Sequence, residues 1–242
     1  NTDQIEGGEG WHFPDGGHVV PGTDHRAEYL HELYTLSDPD CTSRVTVPTI
    51  WDTEKLCVVN NESSEIIRMF NSEFSAFAPD SIDLYPEDKR PEIEEMNQLV
   101  LDGINNGVNG CGRSSSQEAY DESFDLLFST LDRLEDRLSG QRYLCGDQQT
   151  EADWRFYPNL IRFDSVYYIG YKCNLRRLED YPNLSNYFRE LYQTPGIAEI
   201  SDVEGMKKNT FGKAGPIGAN GVIPKGPDLG LERPHDRERF AA

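Results

Sequence analysis

Apolar positions recur along this chain at two different periods, and the change between them divides it. Ala27, Leu30, Leu33 and Tyr34 fall at i, i+3, i+6 and i+7. That spacing predicts one face of a helix, opened by Thr23 or Asp24 and closed by Ser37-Asp38-Pro39-Asp40. Residues 45–50 are β-branched and predict a strand, with Pro48 at an edge or bend because proline has no N–H for the ladder. A turn at 52–55 and a second apolar run at 56–60 complete a predicted hairpin. A helix is expected over about 63–70, with Ile66, Ile67 and Phe70 turned inward. Residues 1–22, polar and rich in glycine, read as loop.

Beyond residue 72 the pattern changes. Pro79, Pro86 and many acidic residues mark 73–90 as a linker. Ile93, Met96, Leu99 and Val100 then form one helical stripe. Tyr120, Phe124, Leu127, Phe128, Leu131, Leu134 and Leu138 form a longer one, the strongest periodic signal in the sequence. Thr150-Glu151-Ala152-Asp153 predicts a reciprocal cap at the next helix start, and Pro158 should kink or split that helix. Another helix is expected over 184–192, ending at Pro195-Gly196. After Gly205, glycine, proline and charge predict an extended tail with no packed helix, wrapped on the helical domain or on a partner subunit. The expected organisation is therefore α+β: 1–72 a small α/β domain, 73–90 a linker, 91–204 an all-α domain, and 205–242 an irregular extension.

The 242 residues carry 36% apolar and 11% aromatic side chains, enough to bury a core and to exclude wholesale disorder. Lys and Arg number 23 against 43 Asp and Glu, a net charge of −20. Such a surface excludes nucleic acid and anionic membrane as expected partners. The acids are dispersed along the chain, which predicts a salt-adapted cytoplasmic protein; an acidic mimic of nucleic acid is the alternative. Strictly apolar runs reach only about four residues (56–59, 166–169), far short of the roughly 20 that a spanning helix needs. The five cysteines are odd in number and widely spaced, and the five histidines form no close pair, so free thiols and no metal are expected. The chain opens at Asn1 without a signal peptide, which suggests a removed start or a piece of a longer protein.

Several stretches are more specific: Gly10-Trp11-His12-Phe13, Arg44-Val45-Thr46-Val47-Pro48, Asn60-Asn61-Glu62-Ser63-Ser64-Glu65-Ile66-Ile67-Arg68-Met69, Arg162-Phe163-Asp164, Lys172-Cys173-Asn174 and Pro234-His235-Asp236-Arg237. Together, over nearly the whole chain, they resemble the xi class of glutathione transferases, the glutathionyl-hydroquinone reductases. The resemblance implies a glutathione-transferase-like fold: a partial thioredoxin-like N-terminal domain, an all-α C-terminal domain and an extended tail, in a homodimer. It also implies a small-molecule thiol and an aromatic electrophile as partners, with glutathione or γ-glutamylcysteine as co-substrate. In the family a cysteine of a Cys-Pro-Trp motif attacks the thioether sulfur, and a second glutathione clears the mixed disulfide. This sequence has no Cys-Pro pair. The nucleophile and about half of the thioredoxin-like sheet are thus expected outside it, by truncation or by loss.

The resemblance also implies roles for particular residues. Ser63, at a helix start, would hold the γ-glutamyl carboxylate on backbone N–H groups, and Glu62 would pair with its amine. Read without the resemblance, Ser63 is an ordinary helix cap. Val47 would present its backbone to the cysteinyl part, provided Pro48 is cis. Arg44, Val45 and Thr46 would line the ligand segment. Trp11 would pack on the thiol, or else anchor a loop to the core. The three pocket tyrosines of the family align with Asn109, Tyr167 and Thr210. Tyr167 alone keeps a phenol as a catalytic proton donor. Asn109 can hydrogen-bond without acting as an acid, and Thr210 is short. Those replacements leave a non-catalytic, transferase-like binding protein as the alternative function.

Overall fold

The structure, a computed structural model, describes residues 3–5, 10–13, 16–78, 82–212, 217 and 220–240. The chain divides into two compact units, Asn1–Ile82 and Asp83–Ala242.

The first unit is built on short antiparallel ribbons. Strand β1 (Asp3–Ile5) pairs with β2 (Gly10–His12), β3 (His18–Val19) with β4 (Arg26–Ala27), and β5 (Ile50–Asp52) with β6 (Cys57–Asn60). Part of the segment expected as loop over 1–22 is therefore ribbon. Helix α1 (His31–Ser37) starts later than expected, because Ala27 belongs to β4. The local hydrogen bonds explain the shift. Thr23 Oγ1 donates to the Val20 carbonyl at 2.9 Å and accepts from the His25 N–H at 3.1 Å, which closes a turn instead of capping a helix. Glu32 reaches back to accept the Glu28 and Tyr29 N–H groups at 2.7 and 2.8 Å.

The strand expected at 45–50 begins only at Ile50. Its lead-in cannot join a ladder: the Thr46 carbonyl accepts from the Tyr34 hydroxyl and from Thr49 Oγ1, both at 2.9 Å. Asp52 Oδ1 accepts the Glu54 and Lys55 N–H groups and fixes the hairpin turn. Helix α2 (Ser63–Ser72) follows β6. It buries Ile66 but leaves Ile67 37% and Phe70 60% exposed, so two of the three side chains expected inward are not. A ten-residue helix beside a two-stranded ribbon covers only a narrow stripe.

The second unit is helical. Helix α3 (Arg90–Leu99) runs through a π-helical turn (Val100–Asn105) into α4 (Asn106–Arg113), and α5 (Gln117–Gly140) packs along α4. Most of the predicted stripes is core: Ile93, Met96, Val100, Leu127, Phe128, Leu131, Leu134 and Leu138 are buried, while Leu99, Tyr120 and Phe124 are half-buried against them. Glycine allows the close approach of α4. A Cβ on Gly110 would stand 2.2 Å from Ser123 Oγ, and one on Gly112 2.1 Å from Tyr171 Cδ1. Three glycines in eight residues cost α4 about 1 kcal/mol each in helix propensity relative to alanine.

Helix α6 (Glu151–Arg162) opens on the expected reciprocal cap, with Asp153 Oδ2 accepting the Thr150 N–H at 2.7 Å. It runs on past Pro158 without splitting and passes into a second π-helical turn (Phe163–Tyr167) and α7 (Tyr168–Gly170). Helices α8 (Pro182–Tyr192) and α9 (Ile197–Ile200) follow. Helix α10 (Val203–Phe211) corrects the tail: a packed helix does run through Gly205. Asp202 Oδ1 accepts the Gly205 N–H at 2.8 Å, and the helix buries Lys207 and Phe211, so a cap and a buried face outweigh one glycine. Further along the tail, residues 231–239 dock on the same unit. Arg237, fully buried, donates to the Leu138 and Arg142 carbonyls at 2.8 Å and to that of Gln141.

Candidate functional site

The residues expected to hold a thiol lie in the first unit, and hydrogen bonds join several of them. Glu62 is the N-cap of α2, with extended backbone (φ −94, ψ 112), and its side chain does not cap the helix. Ser63 is therefore the first helical residue and not the cap. The carbonyl of Glu62 accepts the Glu65 and Ile66 N–H groups, and Asn60 Oδ1 accepts the Glu62 N–H at 2.7 Å. The start of α2 carries the partial positive charge of the helix dipole, suited to a carboxylate.

Asn61 stands at the centre of this arrangement. Its side-chain amide donates to Thr46 Oγ1 at 3.0 Å and to the Tyr34 hydroxyl at 3.1 Å. The Tyr34 hydroxyl in turn donates to the Thr46 carbonyl. Three elements thus meet: α1 through Tyr34, the 44–49 lead-in through Thr46, and the approach to α2 through Asn61. The Val47–Pro48 peptide bond is cis. Val45 and Thr46 are half-buried, whereas Arg44, Val47, Pro48, Glu62 and Ser63 border solvent. Trp11 sits on a different ribbon, in β2, where its carbonyl accepts the Leu30 N–H at 2.8 Å just ahead of α1.

Sequence reasoning gave Asn61 and Tyr34 no role of their own. Asn61 carried a usable signal, an amide directly before a helix start inside a specific motif. Tyr34 carried none, because an aromatic residue on an apolar helix stripe reads as core.

The expected pocket residues lie in the second unit. Tyr167 closes the π-helical turn, α10 with Thr210 packs on that turn, and Asn109 is exposed on α4. Asn109 Nδ2 donates to the Asn105 carbonyl at 2.9 Å, and Thr210 Oγ1 donates to that of Met206 at 3.0 Å. Both side chains therefore spend hydrogen-bonding capacity within their own helices. The Tyr167 ring meets Tyr171 edge-on, with centroids 5.1 Å apart. Burial pushes the Tyr167 phenol up to about 12, against the pull of the Arg162 charge. It holds its proton through neutral pH and serves as a hydrogen-bond donor, not as an acid matched to neutral solution. Among the described residues no group of three metal-ligating side chains gathers, and no helix is long and apolar enough to cross a membrane.

Comparison with known proteins gives the family. Residues 117–190 match the family described as glutathione S-transferase, C-terminal domain. The chain is 44% identical over 221 residues to the glutathionyl-hydroquinone reductase PcpF of Sphingobium chlorophenolicum, covering 91% of this chain and 71% of that protein. The glutathione-bound structure of YqjG, a glutathione transferase homologue from Escherichia coli K-12, superposes with a TM-score of 0.89 at 41% identity, over 98% of this chain and 78% of that one. The xi-class transferase of Natrialba magadii superposes with a TM-score of 0.90 at 40% identity, over 99% and 75%. Sequence, fold and motif residues converge: the chain belongs to the xi class of glutathione transferases, the glutathionyl-hydroquinone reductase family.

Proposed function

We propose that the first unit binds the γ-glutamyl end of a low-molecular-weight thiol, glutathione or γ-glutamylcysteine, in the service of reducing glutathionyl-hydroquinones. The observation that carries this reading is the Asn61 bridge, which ties the 44–49 segment to an α2 start that its own N-cap side chain leaves open. In this reading Ser63 and the first N–H groups of α2 hold the carboxylate and Glu62 the amine. Thr46 and Val47 offer backbone to the cysteinyl part, Pro48 shapes that segment, and Trp11, Arg44 and Val45 flank it. Tyr167 donates a hydrogen bond to the oxygen of an aromatic electrophile, and Asn109 and Thr210 border that electrophile. The kinship with PcpF and with glutathione-bound YqjG supports this assignment.

In this reading the attack on the thioether sulfur falls to no residue of this chain. The Cys-Pro-Trp nucleophile of the family is not among the 242 residues. The protein is expected to act in the cytoplasm as a homodimer, with 1–72 as its thiol-binding part, 73–90 as linker and 91–242 as helical part and tail. Titration calorimetry of the natively expressed protein with each thiol, in concentrated KCl, tests the reading. Binding of at least one thiol, lost in Ser63→Ala and Glu62→Gln, is expected; heat from neither would overturn it.

A second reading is favoured by Asn109 and Thr210 at two of the three phenol positions: a transferase-like binding protein without turnover. Turnover of a glutathionyl-hydroquinone by the native protein, above that of Tyr167→Phe, would refute it.

A further inference from the structure

Two phenols stand side by side in the second unit. Tyr167 closes the π-helical turn, and Tyr171, four residues on, is the C-cap of α7. Positions i and i+4 share a helix face, and here the two rings meet edge-on with centroids 5.1 Å apart. The Tyr167 carbonyl holds the arrangement, accepting the Tyr171 N–H at 3.0 Å and the Cys173 N–H at 3.2 Å. Between those two donors Lys172 takes a left-handed conformation (φ 62), and its carbonyl accepts from the Tyr120 hydroxyl at 2.7 Å. A non-glycine residue holds that conformation only where its surroundings impose it.

Two helices flank the pair. On one side the end of α4 presses on Tyr171: a Cβ on Gly112 would stand 2.1 Å from Tyr171 Cδ1. Asn109 lies about one turn earlier on α4, and Arg113 follows Gly112 directly. On the other side Gly170 admits the Phe211 ring of α10, next to Thr210; a Cβ there would stand 2.8 Å from Phe211 Cε1. Tyr171 is thus set among all three positions that align with the pocket phenols of the family. It touches Tyr167, lies against the helix of Asn109, and is one residue from the contact with the helix of Thr210.

Both tyrosines are half-buried, and among the described residues neither hydroxyl makes a hydrogen bond. Asn109 and Thr210, by contrast, donate within their own helices. Burial pushes the Tyr171 phenol up, against the pull of the Arg113 charge and that of Arg162. The hydroxyl therefore keeps its proton and can donate, while the two guanidinium groups favour an acceptor that carries negative charge.

We propose that Tyr171 is a specificity-determining residue of the electrophile site: its hydroxyl donates to the same aromatic ligand as that of Tyr167, and the pair selects a ring bearing an ionised oxygen, the phenolate of a hydroquinone. The proposal rests on the assignment of Tyr167 to the electrophile. It gives this chain a second phenol where Asn109 and Thr210 supply none.

Absorbance titration of the natively expressed protein with 4-nitrophenol, at about pH 8 and fixed salt, tests it, because that probe is coloured as its phenolate. Saturable binding of the phenolate is expected. Tyr171→Phe keeps the ring and removes the donor, and should raise Kd about tenfold, the loss of a hydrogen bond to a charged acceptor. Tyr167→Phe should do likewise. Tyr168→Phe should not, since adjacent helical positions do not face one another. 4-Nitroanisole, the same ring without an ionisable hydroxyl, should bind Tyr171→Phe and the unaltered protein alike. A Kd moved by Tyr167→Phe alone would overturn the role of Tyr171 and leave that of Tyr167 in place. A Kd moved by neither, or no saturable binding, would remove both, and an equal loss with 4-nitroanisole would overturn the selection of an ionised oxygen. Should Tyr171→Phe fail to fold by circular dichroism, nitration by tetranitromethane and peptide mapping decide instead. The probe should protect Tyr171 in the unaltered protein, and undiminished nitration would overturn the proposal. Thiol binding, read by calorimetry, is independent of all these outcomes.

Discussion

Asn61 donates its side-chain amide to Thr46 Oγ1 across 3.0 Å, fastening the residue before Glu62 to the residue before Val47. The same amide reaches the Tyr34 hydroxyl. The two halves of the proposed thiol site are held in register by one short side chain.

Replacing Asn61 with Ala removes both donors and leaves Thr46 Oγ1 and the Tyr34 hydroxyl short of a partner. Thiol affinity should fall by about 1–2 kcal/mol, roughly 5- to 30-fold in Kd. Asn61→Asp should do no better, since a carboxylate accepts but cannot donate. Calorimetry at fixed salt reads both; unchanged affinity in both variants would separate this bridge from binding.

The tail should contribute strongly to stability through one residue. Arg237 fills the end of α5 with hydrogen bonds to three carbonyls, and burial holds its guanidinium below the usual arginine range. Arg237→Met should cost about 3 kcal/mol or more, because buried acceptors lose charged donors. Arg239→Ala, on the exposed neighbour, should stay within about 0.5 kcal/mol. Denaturant midpoints of the two variants give the comparison.

Alkali should destabilise the fold before it reaches the unfolded-state lysines. Burial drives the Cys145 thiol up to about 11 and the Tyr143 phenol up to about 12, from ordinary values of 9.0 and 10.0. Between those limits the folded state holds protons that the unfolded chain has released. Stability from these groups is therefore intact below about pH 9 and falls as pH rises, by about 1.4 kcal/mol per pH unit for each group in its window. Urea midpoints at pH 8 and pH 11 should show the loss, and Cys145→Ala should flatten its earliest part. Ultraviolet difference spectra should place Tyr167 near 12 as well, absent in Tyr167→Phe.

Salt should act in the other direction. With 43 acidic against 23 basic residues, self-repulsion opposes the compact state at low ionic strength. About 1 M salt shortens the screening length to roughly 3 Å. The thermal midpoint should rise from dilute buffer to molar KCl; a flat response would remove the case for salt adaptation.

Much of the helical unit was legible in the residues themselves. The stripe from Tyr120 to Leu138 and the Thr150–Asp153 cap are short-range patterns, and short-range patterns fix a helix and its inward face. The family motifs were equally legible, because a run such as 60–69 keeps its meaning in sequence. The first unit was read less well. Ala27 fits a helical stripe but lies in β4, and residues 45–49 fit a strand but form none, because the Tyr34 hydroxyl takes the Thr46 carbonyl from twelve residues away. Gly205 predicted an end to helices, yet a cap from Asp202 and the burial of Phe211 carry α10 through it. The sequence by itself determined the family and the helical stripes, and it named the residues from which the site is proposed. Only the tertiary structure decided that Asn61 bridges Thr46 and Tyr34 and that Arg237 closes α5, because each contact joins positions far apart in the chain, where neither period nor propensity carries information.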